Sequence, residues 1–277
     1  MRAVVVLAVA AAAALGDPRA LAAQRDLVLA TTTSVRDAGL LDALLPPFER
    51  ESGRRVKVVA VGSGQAMELG RRGEADIFIL HDPRGEEAFV REGYGVERAP
   101  LMYNEFVLAG PPSDPAGVRS LSNAAKALVA IASAGAQFVS RGDRSGTHIK
   151  ELELWRRAGI EPRGSWYLES GQGMGATLQI ANELQAYVLT DIGTFLAHRY
   201  PLDLEILVSG DTALFNPYHV VLANPERFPW VDFEGARALR EYLLSERAQR
   251  AIGAFGRDRF GRSLFNPALT GQPGRSR

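Results

Sequence analysis

The amino-acid sequence predicts an α/β fold in which two doubly wound α/β lobes surround a central cleft. Three observations predict it. Apolar runs of strand length alternate with segments of helical period along most of the chain, a pattern typical of βαβ units and of a mostly parallel sheet covered on both faces. The alternation breaks at Gly110-Pro111-Pro112-Ser113-Asp114-Pro115, a composition that favours a loop. The length, 277 residues, suits two lobes of about 100 residues each.

The first lobe is predicted to contain residues 23–109 and 205–277. Its predicted strands are Leu27–Ala30, Val56–Val61, Ala75–Leu80, Glu205–Val208 and Tyr218–Leu222. Apolar residues at helical spacing predict helices at Leu40–Phe48, Ala66–Leu69, Glu86–Glu92 and Phe233–Phe255.

The second lobe is predicted to contain residues 110–204. Helical spacing predicts helices at Leu121–Ala134, His148–Ala158, Ala176–Gln185 and around Phe195–Arg199. Strands are predicted at Gln137–Val139 and Ala186–Leu189.

The N-terminal segment differs from the rest of the chain. Arg2 gives it a positive start, Ala3–Leu15 is apolar, and Ala20-Leu21-Ala22 is a small-x-small cleavage motif. This pattern predicts a secretory signal peptide over residues 1–22, because the apolar run is shorter than the roughly 20 residues of a membrane span. We expect an exported protein, free in a periplasm.

The composition excludes several functional classes. Lys and Arg number 32, as do Asp and Glu, so no basic excess exists for nucleic acid or a lipid surface. Cys is absent and the four His residues lack metal-ligand spacing. We therefore expect no metal centre, no cofactor and no nucleic-acid partner, and we expect a monomer.

Four loops that lead into predicted helices are rich in hydroxyl groups and glycine. They are Thr31–Ser34, Gly62–Gly64, Ser140–Thr147 and Gly171–Gly175. A helix N-terminus has unpaired N–H groups and a partial positive charge, and in α/β sheets such loops gather at the ligand-binding edge. The loops predict a cage of donors around a compact oxyanion. Taken singly, each hydroxyl cluster is equally typical of a helix N-cap.

The Ser140–Thr147 loop carries the most informative pattern. Arg141 precedes a group of helix N-terminal amides, and a guanidinium holds an oxyanion with two parallel hydrogen bonds. Asp143 is either a cap that orients Arg141 or an acceptor for a protonated ligand oxygen, and a surface Arg–Asp pair is the alternative. If Asp143 is tied up, a dianion should bind with nearly constant affinity between about pH 6 and 8.

Ser63 and His81 allow a hypothesis of another class, an exported serine hydrolase. It needs a nucleophile, a base and an orienter within reach. However, Ser63 lies in Val61-Gly62-Ser63-Gly64 rather than in G-x-S-x-G. We expect a binding protein and no enzyme.

Several motifs together resemble one family. They are Thr31-Thr32-Thr33-Ser34, Val61-Gly62-Ser63-Gly64-Gln65, His81-Asp82-Pro83, Phe138 to Thr147, Gly171-Gln172-Gly173-Met174-Gly175 and Tyr187-Val188-Leu189-Thr190-Asp191. In this order, over about Leu27 to Pro267, they resemble the tungstate-binding proteins of bacterial tungstate ABC importers. The resemblance implies a type II periplasmic binding-protein fold that captures tungstate, or molybdate, and delivers it to an ABC permease and its ATPase.

The resemblance also implies a set of ligand contacts. They carry over onto Thr32, Ser63, Arg141 and Thr147, with Ser145 and Gly146 as further donors, and we add Thr33 from the same threonine run. The R-x-D-x-S-G-T pattern equally resembles the loop of phosphate-binding proteins, so a phosphate or sulfate receptor is the alternative. The chain has Ile192 where the family usually has Arg, and we expect position 192 to face the cleft or its rim.

Overall fold

The structure is a computed structural model that describes residues 25–198 and 200–268. The predicted signal peptide lies outside these residues. Within the described ranges, no helix is long and apolar enough to cross a membrane.

Strands and helices alternate through most of the described chain. The strands are β1 (Leu27–Thr32), β2 (Val56–Val61), β3 (Ile77–Leu80), β4 (Gly95–Gly110), β5 (Phe138–Ser140), β6 (Tyr167–Glu169), β7 (Tyr187–Asp191), β8 (Glu205–Val208), β9 (Phe215–Ala223) and β10 (Asn266–Pro267). The helices are α1 (Thr33–Asp37), α2 (Leu40–Ser52), α3 (Ser63–Arg71), α4 (Pro83–Arg91), α5 (Ala124–Ala134), α6 (Gly146–Arg157), α7 (Met174–Leu184), α8 (Ile192–Leu196), α9 (Phe233–Leu244), α10 (Glu246–Ala254) and α11 (Arg257–Phe260).

The long strand β4 joins two sheets. The strand order is β2-β1-β3-β9-β4-β7-β5-β6, with β8 and β10 also paired to β4. As far as Glu105, β4 pairs with β9, and from Phe106 onward it pairs with β7. A single strand therefore runs from one lobe into the other.

Each sheet is covered on both faces, as doubly wound lobes require. In β1, Leu27 and Leu29 belong to a core with α2, α9 and α10, whereas Ala30 packs with α3 and α4 on the opposite face. This alternation follows from the two-residue period of a strand. In the second lobe, Phe138 packs towards α5 and α6 and Val139 towards α7. The predicted fold class is confirmed.

Strand pairing bears on the limits of the lobes, which the sequence places at residues 109 and 205. Strand β8 pairs with β4 at Leu108–Gly110, and Leu207 and Val208 lie in the core of the second lobe. Strand β9 pairs with β3 of the first lobe. We propose that the crossovers lie near residue 105 in β4 and between β8 and β9.

Three sequence predictions were wrong in detail. The sheets are mixed, since β4 is antiparallel to β7, β8 and β9, and β3 is antiparallel to β9. Strands β4 and β6 were not predicted. The single C-terminal helix is two helices, because Ser245 ends α9 in an extended conformation and its side chain caps α10 by accepting from the N–H of Ala248.

Candidate oxyanion site

The Arg141 loop and the first turn of α6 form one wall of the cleft between the lobes, named here the charged wall (Arg141, Ser145, Gly146 and Thr147). Ser145 is the N-cap of α6, and its Oγ accepts a hydrogen bond from the N–H of His148 at 3.3 Å. The hydrogen of the Ser145 hydroxyl is not used by that bond. The start of α6 therefore presents N–H groups and hydroxyls together with one cation.

Arg141 is nearly fully buried, with 2% of its surface exposed. Its Nη2 donates to Asp143, and its Nε donates to the carbonyl of Gln172 at 3.3 Å. Burial lowers the pKa of the guanidinium, which Asp143 opposes, and Arg remains charged in either case. Among the described residues, Nη1 has no hydrogen-bond partner.

Asp143 acts as a cap and as an orienter of Arg141. Its Oδ1 accepts from the N–H of Ser145 at 3.0 Å, while Oδ2 accepts from Arg141. Both oxygens are thus engaged by donors of its own loop. This geometry matches the first of the two roles that the sequence left open, and it removes the surface-pair alternative because Arg141 is buried.

Thr32, Thr33 and Ser63 form the opposite wall, named here the hydroxyl wall. Thr32 is the N-cap of α1, and Ser63 is the first residue of α3. The hydroxyls of Thr32 and Ser34 are 3.0 Å apart, whereas the buried hydroxyls of Thr33 and Ser63 have no hydrogen-bond partner in residues 25–198 and 200–268. This wall supplies neutral donors only.

The two walls touch at glycine residues. A Cβ built on Gly62 would lie 3.3 Å from the Cα of Ser145, and one built on Gly64 would lie 3.3 Å from the carbonyl oxygen of Arg144. The Gly171–Gly175 loop also approaches the hydroxyl wall, since a Cβ on Gly173 would lie 3.8 Å from Cγ2 of Thr33. Glycine permits this close approach of the backbones. The seven predicted site residues are therefore distributed over two walls in contact.

Three of the predicted hydroxyls share an unusual property. Oγ1 of Thr33, Oγ of Ser63 and Oγ1 of Thr147 are buried without any hydrogen-bond partner among the described residues. A buried hydroxyl without a partner costs about 1–3 kcal/mol, so most buried polar groups have one. Such atoms at three of the predicted positions indicate a site built to bind a hydrogen-bond acceptor.

Two other predictions concern residues outside this set. Ile192 was expected to face the cleft or its rim; it is 3% exposed and lines a cavity of about 680 Å³ with Tyr103, Phe215 and Leu264, and none of the predicted ligand contacts lines this cavity. Asp191, its predecessor, is the N-cap of α8, and this cap sets the direction of position 192. Ser63 and His81 form no hydrogen bond with each other.

Sequence reasoning missed a buried polar chain behind the walls. Asn104 on β4 and Asn216 on β9 are register partners, and the side-chain amide of Asn216 donates to Oδ1 of Asn104 at 2.7 Å. Asn104 donates to Asp191, and Asn216 meets His81. No local signal reveals this chain, because it depends on the pairing of two distant strands. Within the described ranges, no group of three or more His, Cys, Asp or Glu residues could hold a metal ion.

Comparison with known proteins assigns the family. The profile of the PBP superfamily domain matches residues 17–247. The chain therefore belongs to the PBP superfamily, the class of two-lobed binding proteins that the fold and the cleft define.

The relatives are more specific. The chain is 47% identical over 247 residues to the tungstate-binding protein TupA of Peptoclostridium acidaminophilum. The alignment covers 88% of this chain and 86% of the relative. Among solved structures, the tungstate ABC transporter of Geobacter sulfurreducens aligns with a TM-score of 0.76 at 47% identity, over 82% of this chain and 97% of that one. The tungstate-binding protein TupA of Desulfovibrio alaskensis G20 aligns with a TM-score of 0.74 at 40% identity, over 88% and 99%.

Proposed function

We propose that this chain is a periplasmic receptor that captures tungstate between the charged wall and the hydroxyl wall and delivers it to an ABC permease and its ATPase. The names of the relatives support the ligand and the transport role. One structural observation carries the assignment to a site: three buried hydroxyls without protein partners lie on two facing walls beside one buried guanidinium. These groups match the demands of a small tetrahedral dianion, which accepts hydrogen bonds on all sides.

The state of Asp143 favours a fully deprotonated oxyanion. Both of its oxygens accept hydrogen bonds within the loop, so neither is needed to receive a proton from a ligand. Phosphate near neutral pH carries such a proton, whereas tungstate and molybdate do not. A phosphate receptor is therefore the weaker hypothesis, and molybdate stays the close alternative because its size and charge equal those of tungstate.

A hydrolase is not supported by the geometry. The hydroxyl of Ser63 and Nε2 of His81 form no hydrogen bond with each other, so the nucleophile and the base are not paired as a hydrolase needs. The relatives carry the names of binding proteins and transporter components. We propose a monomeric binding protein without catalytic activity.

A thermal-shift panel tests the proposed ligand. Tungstate, molybdate, sulfate, phosphate and chromate are added to the chain that begins at Ala23, at equal concentrations. A ligand at 1,000 times its Kd stabilises by about 4 kcal/mol, which raises the Tm by several degrees. We expect this shift with tungstate and a small or absent shift with phosphate and sulfate. A larger shift with phosphate than with tungstate would contradict the proposal.

A further inference from the structure

His81 is a buried imidazole that lies against the start of α6. It follows β3, only 4% of its surface is exposed, and its ring stacks on Tyr218 with the ring centroids 4.9 Å apart. A Cβ built on Gly146 would lie 2.7 Å from Nε2 of His81. Within the part of the chain that the structure describes, Nε2 has no hydrogen-bond partner. A ring nitrogen is therefore buried without a partner beside a residue of the charged wall.

A chain of hydrogen bonds fixes which ring nitrogen carries the proton. Asp191 only accepts, so the side-chain amide of Asn104 donates to it at 3.1 Å, and Oδ1 of Asn104 then accepts from Asn216. Oδ1 of Asn216 is left to accept from Nδ1 of His81 at 3.0 Å. In a neutral imidazole with its proton on Nδ1, Nε2 carries a lone pair and no proton.

The charges around His81 come from several elements. Burial is the largest influence and lowers the pKa of His81, and the cation of Arg141 lowers it as well. The hydrogen bond to Asn216 and the carboxylates of Asp191 and Glu86 raise it. Asp82, the next residue in the chain, is a further neighbouring acid. Without an anion, burial prevails and the ring is neutral near pH 7.

A bound oxyanion reverses this balance. The lone pair of Nε2 repels an acceptor that has no proton of its own, whereas a protonated Nε2 donates a charged hydrogen bond. A dianion a few ångströms away also favours the charged form of the imidazole. The three residues of the hydroxyl wall carry no charge, so a charge on His81, which follows β3 of the same lobe, would place positive charge on both sides of the ligand.

We propose that His81 takes up one proton from solvent when the oxyanion binds and donates its Nε2–H to the anion. The inference rests on the proposed function, because it needs an oxyanion in the cleft. In the step, one N–H bond forms at Nε2 as a proton leaves the hydronium ion or the buffer acid of the solvent, no bond of the oxyanion changes, and the positive imidazolium offsets one charge of the dianion. Capture is therefore coupled to pH, in place of the pH-independent binding that Asp143 alone predicts.

Isothermal titration calorimetry of tungstate tests the coupling. The titration is repeated at one pH above neutral in buffers of different ionisation enthalpy. The slope of the observed binding enthalpy against the ionisation enthalpy of the buffer gives the number of protons taken up. We expect about one proton per anion, and an affinity that falls up to tenfold per pH unit between the pKa values of His81 in the free and bound protein. Tight binding with a slope of zero would overturn the proposal and leave the proposed function intact.

Two variants assign the proton to a residue. H81Q keeps an amide donor but cannot titrate, so the slope should fall to near zero. H148Q is the matched control, because His148 is also buried with an unpartnered Nε2, on α6 itself. Uptake that persists in H81Q, or that is lost in H148Q, would overturn the assignment. Absence of tungstate binding by the unmodified chain would instead refute the proposed function.

Nitrogen NMR of the unmodified chain measures the protonation state of Nε2 directly and needs no variant. The chemical shift of Nε2 separates a lone pair from an N–H, and the chain has only four His residues to assign. We expect the Nε2 signal of His81 to change from unprotonated to protonated on addition of tungstate. An unprotonated Nε2 in the saturated protein would contradict the proposal.

Discussion

The two walls of the cleft present different chemistry to the proposed ligand. The charged wall has a buried cation, Arg141, which is held by Asp143 of its own loop and by the carbonyl of Gln172 in the Gly171–Gly175 loop. The hydroxyl wall offers neutral donors at the starts of α1 and α3, and two of its hydroxyls have no protein partner. From this comparison we propose that one lobe supplies attraction for a dianion and that the other adds directional contacts when the walls meet.

The largest effect is expected from removing the cation of the charged wall. Arg141→Ala should weaken tungstate binding by about 2–5 kcal/mol, since a desolvated charge loses its partner. Arg141→Lys should recover only part of the affinity, because a point charge replaces a planar fork. Calorimetry measures both variants, and the Tm of Arg141→Ala without ligand should also fall, because Asp143 loses its buried partner. Undiminished affinity in Arg141→Ala would show that the anion does not contact this wall.

The charged wall also has a titratable carboxyl behind it. Glu151 on α6 accepts from the hydroxyl of Tyr167 at 2.7 Å and from Nε1 of Trp155 at 3.2 Å, and burial raises its pKa from 4.5 to about 7. The unfolded chain releases this proton first as pH rises. Stability is therefore lost between about pH 4.5 and 7, by roughly 3 kcal/mol.

Glu151→Gln tests this loss, because glutamine resembles the protonated acid at every pH. Urea unfolding at pH 5 and pH 8 should show a smaller loss of stability in Glu151→Gln than in the unmodified chain, by roughly 3 kcal/mol. Equal losses in the two proteins would show that Glu151 does not titrate in this range.

The unpartnered hydroxyls allow a prediction in which affinity and stability change in opposite directions. Thr147→Val should weaken tungstate binding by about 1–3 kcal/mol, yet the protein without ligand should become slightly more stable, because a buried hydroxyl without a partner is removed. Thr31→Val is the matched control, since its hydroxyl donates to the carbonyl of Ile79 at 3.1 Å. The control should lower the Tm and leave the affinity unchanged. The reverse pattern in the two variants would refute the ligand role of Thr147.

A methyl group added at the contact between the walls tests whether their close approach matters for affinity. Gly62→Ala places a methyl group 3.3 Å from Ser145, and the φ of −78° at Gly62 accepts alanine without strain. We expect the walls to be held slightly apart and the affinity to fall about fivefold, equal to about 1 kcal/mol. Gly173→Ala is the control, because its methyl group would make only an ordinary contact at 3.8 Å. Equal affinities of the two variants would mean that closure does not depend on this approach.

The smallest effect on affinity is expected at Ile192. Because this side chain lines the other cavity, Ile192→Arg should change the Kd of tungstate by no more than about twofold. Ile192→Arg should lower the stability of the fold, because it places a charge at a position that is only 3% exposed. Tighter binding by tenfold or more would place position 192 at the anion.

Local patterns in the sequence predict the loops of both walls but not the framework behind them. Hydroxyl and glycine clusters directly after apolar runs identify the loops that lead into α3 and α6, because capping and strand periodicity act over a few residues. The short helix α1 was not predicted. Strand β4 escapes such reasoning since Glu97, Arg98 and Pro100 interrupt its apolar pattern. Without β4, the pairing of Asn104 with Asn216 and the proton position on His81 are beyond prediction.

The most direct test of the account is an anomalous difference map from crystals grown with tungstate. We expect one strong tungsten peak between the walls, with the tungstate oxygens within hydrogen-bonding distance of Arg141, Ser63 and Thr147 (roughly 2.7–3.2 Å). A peak in the cavity lined by Ile192, or a tungstate that contacts only one wall, would contradict it.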